Sequence, residues 1–372
     1  MRKLLYGHFA EKENKRWFWA RLGGGLYYRD KLNGNIVLSY IYQDENVIKS
    51  GDCWFEHIIL LDDLLLLVPR YAKEILLLDI EQNKVVKRFL LEKIEEIGEY
   101  FLGVIQTEQE VILIPQSYRK ILHINKRSLQ LRTGDFDFRE HCLENKLCVP
   151  SDVLHFRAFP VIHNGNIYLP FYDFPQILIY DIDSMMYSVC DTHKIEGMDQ
   201  LEIYESDEIR LLIIERLDCL RIEDTDKAFL RLLGDFLNKH DYLRAADYTD
   251  KVYLLMKDGI FVFHKGGNEI KIADWFSQID RDYVNCVHEL EGDRFQDTLY
   301  VFQNEGILFI TFELEEYKCI IKIYGDEVSI KYEKIEKVDE VFLLLKVLES
   351  NSDNQNKLTV NSVGETIYKS LT

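Results

Sequence analysis

Proline, methionine and tryptophan are scarce, with six, five and four copies among 372 residues. Missing patterns exclude more than missing residues. No apolar run approaches the roughly 18 residues that a membrane helix needs, and the most apolar stretch, Ile58 to Val68, is split by Asp62 and Asp63. The N-terminal segment turns polar at Glu11-Lys12-Glu13-Asn14-Lys15 before any apolar run of signal-peptide length, so export is not expected. Positive charge is also short. Against 64 Asp and Glu stand 45 Lys and Arg, a net charge of −19 that no basic cluster offsets. Nucleic acid and anionic membranes are therefore not expected partners. The seven cysteines are odd in number, scattered and without a CxxC pair, which reads as reduced thiols and a cytoplasmic setting.

Signatures of chemistry are missing as well. The chain contains no Gly-x-Ser-x-Gly elbow, no His-Glu-x-x-His and no Gly-x-x-x-x-Gly-Lys loop. Gly23-Gly24-Gly25 runs into Leu26-Tyr27-Tyr28, a strand pattern, so it reads as a hairpin turn and not a phosphate cradle. His141-Cys142 with Cys148 matches no common zinc spacing. No catalytic residue, metal or cofactor is assigned, and an enzyme is the less favoured expectation.

What is present is repetition. Leu64-Leu65-Leu66-Leu67-Val68-Pro69 is followed, ten residues after the proline, by Asp79 at the end of Ile75-Leu76-Leu77-Leu78. Val111-Ile112-Leu113-Ile114-Pro115 stands at the same distance from Asn125, and Ile167-Tyr168-Leu169-Pro170 lies eleven residues before Asp181. Weaker copies start at Leu211, Val252, Leu299 and Val341, with a first copy at Leu26. The mean step is about 46 residues, the length of one four-stranded propeller blade. Runs that are continuously apolar fit strands buried on both faces, and their shortness and Val, Ile, Tyr and Phe content exclude a helical solenoid. Turn signals at Asp62-Asp63, Asn164-Gly165 and Thr249-Asp250 precede the repeated run. The expectation is an all-β, single-domain β-propeller over residues 1–372, with seven or eight four-stranded blades.

The unit, an apolar second strand, a loop and a third strand ending in a pair such as Tyr180-Asp181, resembles the bacterial kelch-like propeller repeat. That resemblance implies a ring and a binding platform, and no catalytic residue. Two segments depart from the strand pattern. Phe229, Leu230, Leu232, Leu233, Phe236 and Leu237 follow a helical period behind Asp224-Thr225-Asp226, predicting an inserted helix at about 226–239, and Ile272 to Ile279 is a shorter second candidate.

The functional expectation rests on the loops after the second strands. Arg70, Tyr71, Tyr118, Arg119, Tyr172 and Asp173 follow Pro69, Pro115 and Pro170 at equivalent places, so a propeller would present them on one face. Tyrosine offers a rigid amphipathic ring and arginine a fixed fork of donors. The leading reading is a non-enzymatic platform for a protein or peptide. The alternative is a carbohydrate- or metabolite-binding or -active site at the channel mouth, built from Arg70, Arg119, Tyr172 and Asp173. Packing of each tyrosine on a neighbouring blade is the competing structural role. Trp17 and Trp19 alternate on one strand face, suited either to a sugar platform or to the core between blades.

Overall fold

A computed structural model describes residues 2–20, 25–42, 54–92, 99–145, 156, 161–163, 165–171, 176–191, 232–233, 235–236, 239–264, 269–288 and 298–338. Its regular structure is six sheets, each of four strands joined in sequential order, the blade unit of a β-propeller. Blade 1 holds β2 (Phe9–Lys12), β3 (Lys15–Trp19), β4 (Gly25–Asp30) and β5 (Ile36–Ile41), and blade 2 holds β6 (Phe55–Leu61), β7 (Leu64–Pro69), β8 (Glu74–Asp79) and β9 (Lys84–Leu90). Blade 3 holds β10 (Phe101–Gln106), β11 (Glu110–Pro115), β12 (Lys120–Asn125) and β13 (Leu131–Asp137). Blade 4 holds β14 (Val161–His163), β15 (Asn166–Pro170), β16 (Gln176–Asp181) and β17 (Tyr187–Asp191). Blade 5 holds β18 (Tyr242–Tyr248), β19 (Lys251–Met256), β20 (Gly259–His264) and β21 (Lys271–Ile272), and blade 6 holds β22 (Leu299–Asn304), β23 (Ile307–Glu313), β24 (Tyr317–Tyr324) and β25 (Glu327–Lys334). A separate ribbon pairs β1 (Arg2–Lys3) with β26 (Lys337–Val338).

The count corrects the expectation of seven or eight blades to six among the described residues. The predicted starts at Leu64, Val111, Ile167 and Val252 do fall in second strands. Leu26, however, lies in a third strand and Leu299 opens a first strand, so neither marks the repeat position assumed for it. The reason is physical: inner strands of a blade are buried on both faces, and an apolar run does not say which of them it is. The starts at Leu211 and Val341 lie outside the described residues.

The hairpins follow the turn chemistry closely. Glu13, Asp62, Thr249 and Glu305 take φ values of 52°, 53°, 56° and 51°, and Gly165 and Gly306 reach 77° and 74°. Positive φ at the central residues matches the twist of a tight hairpin, and the non-glycine residues accept a modest strain to provide it. Burial then falls outward through a blade: β8 is buried along almost its whole length, whereas β9 alternates exposed and half-buried positions to the edge.

Helices are few. Helix α1 (Phe138–Glu144) begins at Asp137, whose carboxylate accepts from the amides of Arg139 and Glu140. No expectation from the sequence covers it, although an Asp cap with Glu140 three residues on is a readable start signal. Within the expected insert, Leu232, Leu233, Asp235, Phe236, Lys239 and His240 are helical, and the other residues of 226–239 lie outside the described residues. The second candidate is corrected. Ile272 pairs with Phe261 in β21, Phe276–Gln278 forms a 3₁₀ turn, and α2 runs later, over Asp280–His288. Backbone bonds to β20 claim Ile272 and Ala273, the start of the segment that helical spacing alone assigned to a helix.

The chain divides into two compact units, residues 1–95, 315–319 and 331–372 in one and 96–314 with 320–330 in the other. In the first, Trp17 and Trp19 are each 2% exposed and pack with Phe55, Ile58, Leu65, Leu67, Leu76 and Leu78. The indoles are thus core between blades 1 and 2, and not a sugar platform. Trp19 meets Phe55 edge to face at 4.8 Å, a favoured aromatic geometry. The same unit buries a charged network. Arg16, 1% exposed, donates from Nε to Glu11 Oε1 at 2.6 Å, pairs with the buried Glu333 and lies 4.4 Å from the Phe9 ring centre. Tyr6 donates to Glu333 Oε2 at 3.4 Å, and burial pushes its phenol up to about 12. Lys318 donates to the Tyr6 carbonyl and lies 4.2 Å from the Tyr6 ring centre.

An uncompensated buried charge is the expensive outcome here. Arg16→Met should lower the unfolding free energy by about 3 kcal/mol or more in equilibrium denaturation. A loss under about 1 kcal/mol would make the pair no stronger than a surface one.

Candidate functional site

The loops after β7 and β11 are built in the same way. In blade 2, Pro69 ends β7 and the next three amides, of Arg70, Tyr71 and Ala72, all point at the Trp54 carbonyl, at 2.9, 3.3 and 3.2 Å. In blade 3, Pro115 ends β11, the amides of Gln116 and Tyr118 reach the Tyr100 carbonyl at 3.0 and 3.2 Å, and Ser117 reaches Glu99 at 3.0 Å. Each loop is thus hung from the residues just before the first strand of its own sheet. The proline has no amide to contribute to a further ladder bond, so the strand stops where the loop must turn back.

The side chains on the two loops differ. Arg70 and Tyr71 are half-buried; the guanidinium carbon lies 5.3 Å from the Tyr71 ring centre and Nε lies 3.6 Å from Glu56 Oε2. That places a fork of donors beside an aromatic face. Tyr118 is 6% exposed, with its ring 5.5 Å from Phe101 and 6.1 Å from Tyr100. Arg119 Nε lies 3.3 Å from Asp137 Oδ2, on the carboxylate that caps α1, and its carbonyl accepts from the Phe138 amide at 2.9 Å. Tyr172 and Asp173 lie outside the described residues. Arg70 with Tyr71 and Tyr118 with Arg119 therefore form two local groups, one in each compact unit.

Sequence reasoning missed a buried polar chain in the second unit. His123, fully buried on β12, has Nδ1 2.8 Å from Glu110 Oε2 and Nε2 2.7 Å from the Tyr180 hydroxyl, and Arg132 donates to the other Glu110 oxygen. A neutral imidazole satisfies both ends, with Nδ1–H donating to the carboxylate and Nε2 accepting from the phenol. Burial lowers the His123 pKa against the opposing pull of Glu110. Burial alone would raise Glu110, but the hydrogen bonds from His123 and Arg132 outweigh it and hold the carboxylate below its ordinary value. The signal was a histidine inside the apolar run Ile121 to Ile124. Since Ile112 opposes His123 across the ladder, Glu110, two residues away, shares its face.

A groove of about 630 Å³ lies along α2 in the same unit, lined by Asp258, Asp274, Phe276, Asp280 and Arg281 among others. His240 Nδ1 sits 2.6 Å from Asp258 Oδ2. Among the described residues, no three His, Cys, Asp or Glu side chains are placed to hold a metal ion, and no helix is long and apolar enough to cross a membrane.

No protein family model and no curated protein matches the chain, so the kelch-like resemblance gains no family support. Solved structures resemble it at low scores. An extracellular domain of a putative one-component system from B. thetaiotaomicron aligns with TM-score 0.38 and 9% identity over 90% of this chain and 35% of that one. Kluyveromyces lactis Hsv2 aligns with TM-score 0.33 and 6% identity, covering 91% and 84%, and the AfRom2 CNH domain with 0.37 and 10%, covering 90% and 86%. The chain spans about a third of the length of the first of these. At such scores the likeness bears on no function.

Gly134 gives the buried chain a test. A Cβ there would lie 2.3 Å from the Tyr180 hydroxyl oxygen, which His123 holds in place. Tyr180→Phe should cost about 1 to 3 kcal/mol by leaving His123 Nε2 unpaired. Gly134→Ala should cost a similar amount, and the double variant less than the sum, read by urea denaturation. Strict additivity would separate the two effects and contradict the linkage.

Proposed function

We propose that the chain is a non-enzymatic binding platform for a protein or peptide, with the loops after the second strands as its contact elements. The observation that carries this reading is the shared loop construction: three consecutive backbone amides per loop are fixed on carbonyls before the first strand, so Arg70 and Tyr71 are presented from a rigid base. Rigid presentation lowers the ordering cost of association, and half-buried aromatic and arginine side chains are the residue types that dominate binding energy. Tyr118 and Arg119 extend the reading to blade 3, Tyr118 as buried support for its loop and Arg119 as its polar contact. Tyr172 and Asp173 complete the set by sequence position. The reading treats residues 1–372 as one domain in the cytoplasm, in keeping with the scattered cysteines. Cys142, a fully buried thiol that burial pushes up to about 11, is inert on the same grounds.

A small polar ligand is the second reading. Its support is the groove along α2, whose lining includes Asp258, Asp274, Asp280 and Phe276, a combination that suits hydroxyl-rich molecules.

The platform reading makes the two tyrosines behave differently. Arg70→Ala with Tyr71→Ala should leave the melting temperature within about 2 °C of wild type and abolish partner capture, whereas Tyr118→Ala should destabilise by about 3 kcal/mol. Retained capture by the Arg70/Tyr71 variant in affinity pull-downs would remove the loops from the site. A saturable thermal shift with a sugar or metabolite, lost in Asp274→Asn, would favour the groove.

A further inference from the structure

Two buried imidazoles lie in contact in the first unit, outside the polar chain of His123. His8, just before β2, and His57, on β6, are 8% and 6% exposed, with ring centres 4.2 Å apart and planes at 67°. His57 Nε2 is fully shielded and has no hydrogen-bond partner among the described residues. This departs from the rule that buried polar atoms find partners. The contact also sits at a joint between sheets: β2 and β6 are the first strands of blades 1 and 2 and pack on each other.

The charged groups acting on His57 are few. Glu56, its neighbour on β6, favours the imidazolium, and Arg70, on the loop after β7, opposes it. Burial outweighs both and holds the ring below its ordinary pKa. His8 is a further titratable group in contact with it. Charging His57 places a cation where water is excluded and Nε2–H has no acceptor.

We propose that the His8–His57 contact is an acid-released latch between blades 1 and 2, closed while His57 is neutral and opened by its protonation. Opening loosens β2 against β6, and β6 begins just after Trp54, whose carbonyl holds the amides of Arg70, Tyr71 and Ala72. The latch therefore reaches the loop as well as the strands. The sign is fixed by the depressed imidazole: the closed form has its full stability above the ordinary histidine value of about 6.5 and loses it as pH falls below that. One such ring supplies up to about tenfold in the opening equilibrium at about pH 5.5.

Hydrogen exchange on the full chain, corrected for intrinsic rate, tests this directly. Between about pH 7.5 and 5.5, amides of residues 9–12, 55–61 and 70–72 should lose protection by about tenfold, while residues 111–114 and 121–124 change less than about twofold. His57→Phe, which keeps a ring in the contact, should abolish the pH response of the first set. Unchanged protection in wild type, a uniform loss across all blades, or an undiminished response in His57→Phe would overturn the latch. Should that variant fail to fold, NMR titration of the wild-type imidazoles decides the same point. A His57 midpoint clearly below about 6.5 is required, and one at or above it refutes the proposal.

Discussion

The constraint on which the first blade depends is the pairing of Arg16 with Glu333. A guanidinium that is 1% exposed cannot be held among aromatic rings without a matched anion, and the anion comes from a strand 317 residues later. Around it the chain arranges Glu11, Tyr6 and Lys318, so that each buried charge or dipole meets another. The short ribbon of β1 with β26 adds backbone pairing to the same join. Contacts of this sequence separation contribute little until most of the chain is in place, so this pair forms only after the strand of Glu333 exists.

The repeated loop shows how one sequence feature serves two purposes. A proline at the end of the second strand stops the ladder, and the freed amides after it find carbonyls at the entrance of the same sheet. The motif is thus explained by backbone satisfaction before any partner is considered. Function, if the loops form a platform, is added by what each loop then carries: a half-buried fork beside a ring in blade 2, and a buried ring with an arginine held on the helix-capping Asp137 in blade 3. Equivalent positions in a repeat need not carry equivalent roles.

The blades were legible because strands buried on both faces leave runs such as Leu64 to Val68 and Val111 to Ile114, and the turns were legible because positive φ needs residues such as Asp62 and Gly165. The blade number was not. Leu26 and Leu299 look like second strands from their composition, and only pairing shows them to be a third and a first. The helix at α1 was hidden by its shortness, and the residues around Ile272 by a helical period that strand pairing overrode. At the candidate sites, neighbours along the loop were readable, as with Arg70 and Tyr71. Partners set by packing between sheets were not: nothing in the order of residues brings His8 to His57 or Tyr180 to His123.

The wide separation of Arg16 and Glu333 has a consequence during synthesis. At the roughly 5 to 20 residues per second of a ribosome, the arginine waits on the order of 15 to 60 s before Glu333, the second of its carboxylate partners, has been made. Through that interval Arg16 has Glu11 as its anion but lacks the second carboxylate that closes over it in the finished blade. Full burial of the arginine is therefore tied to a strand translated long after it.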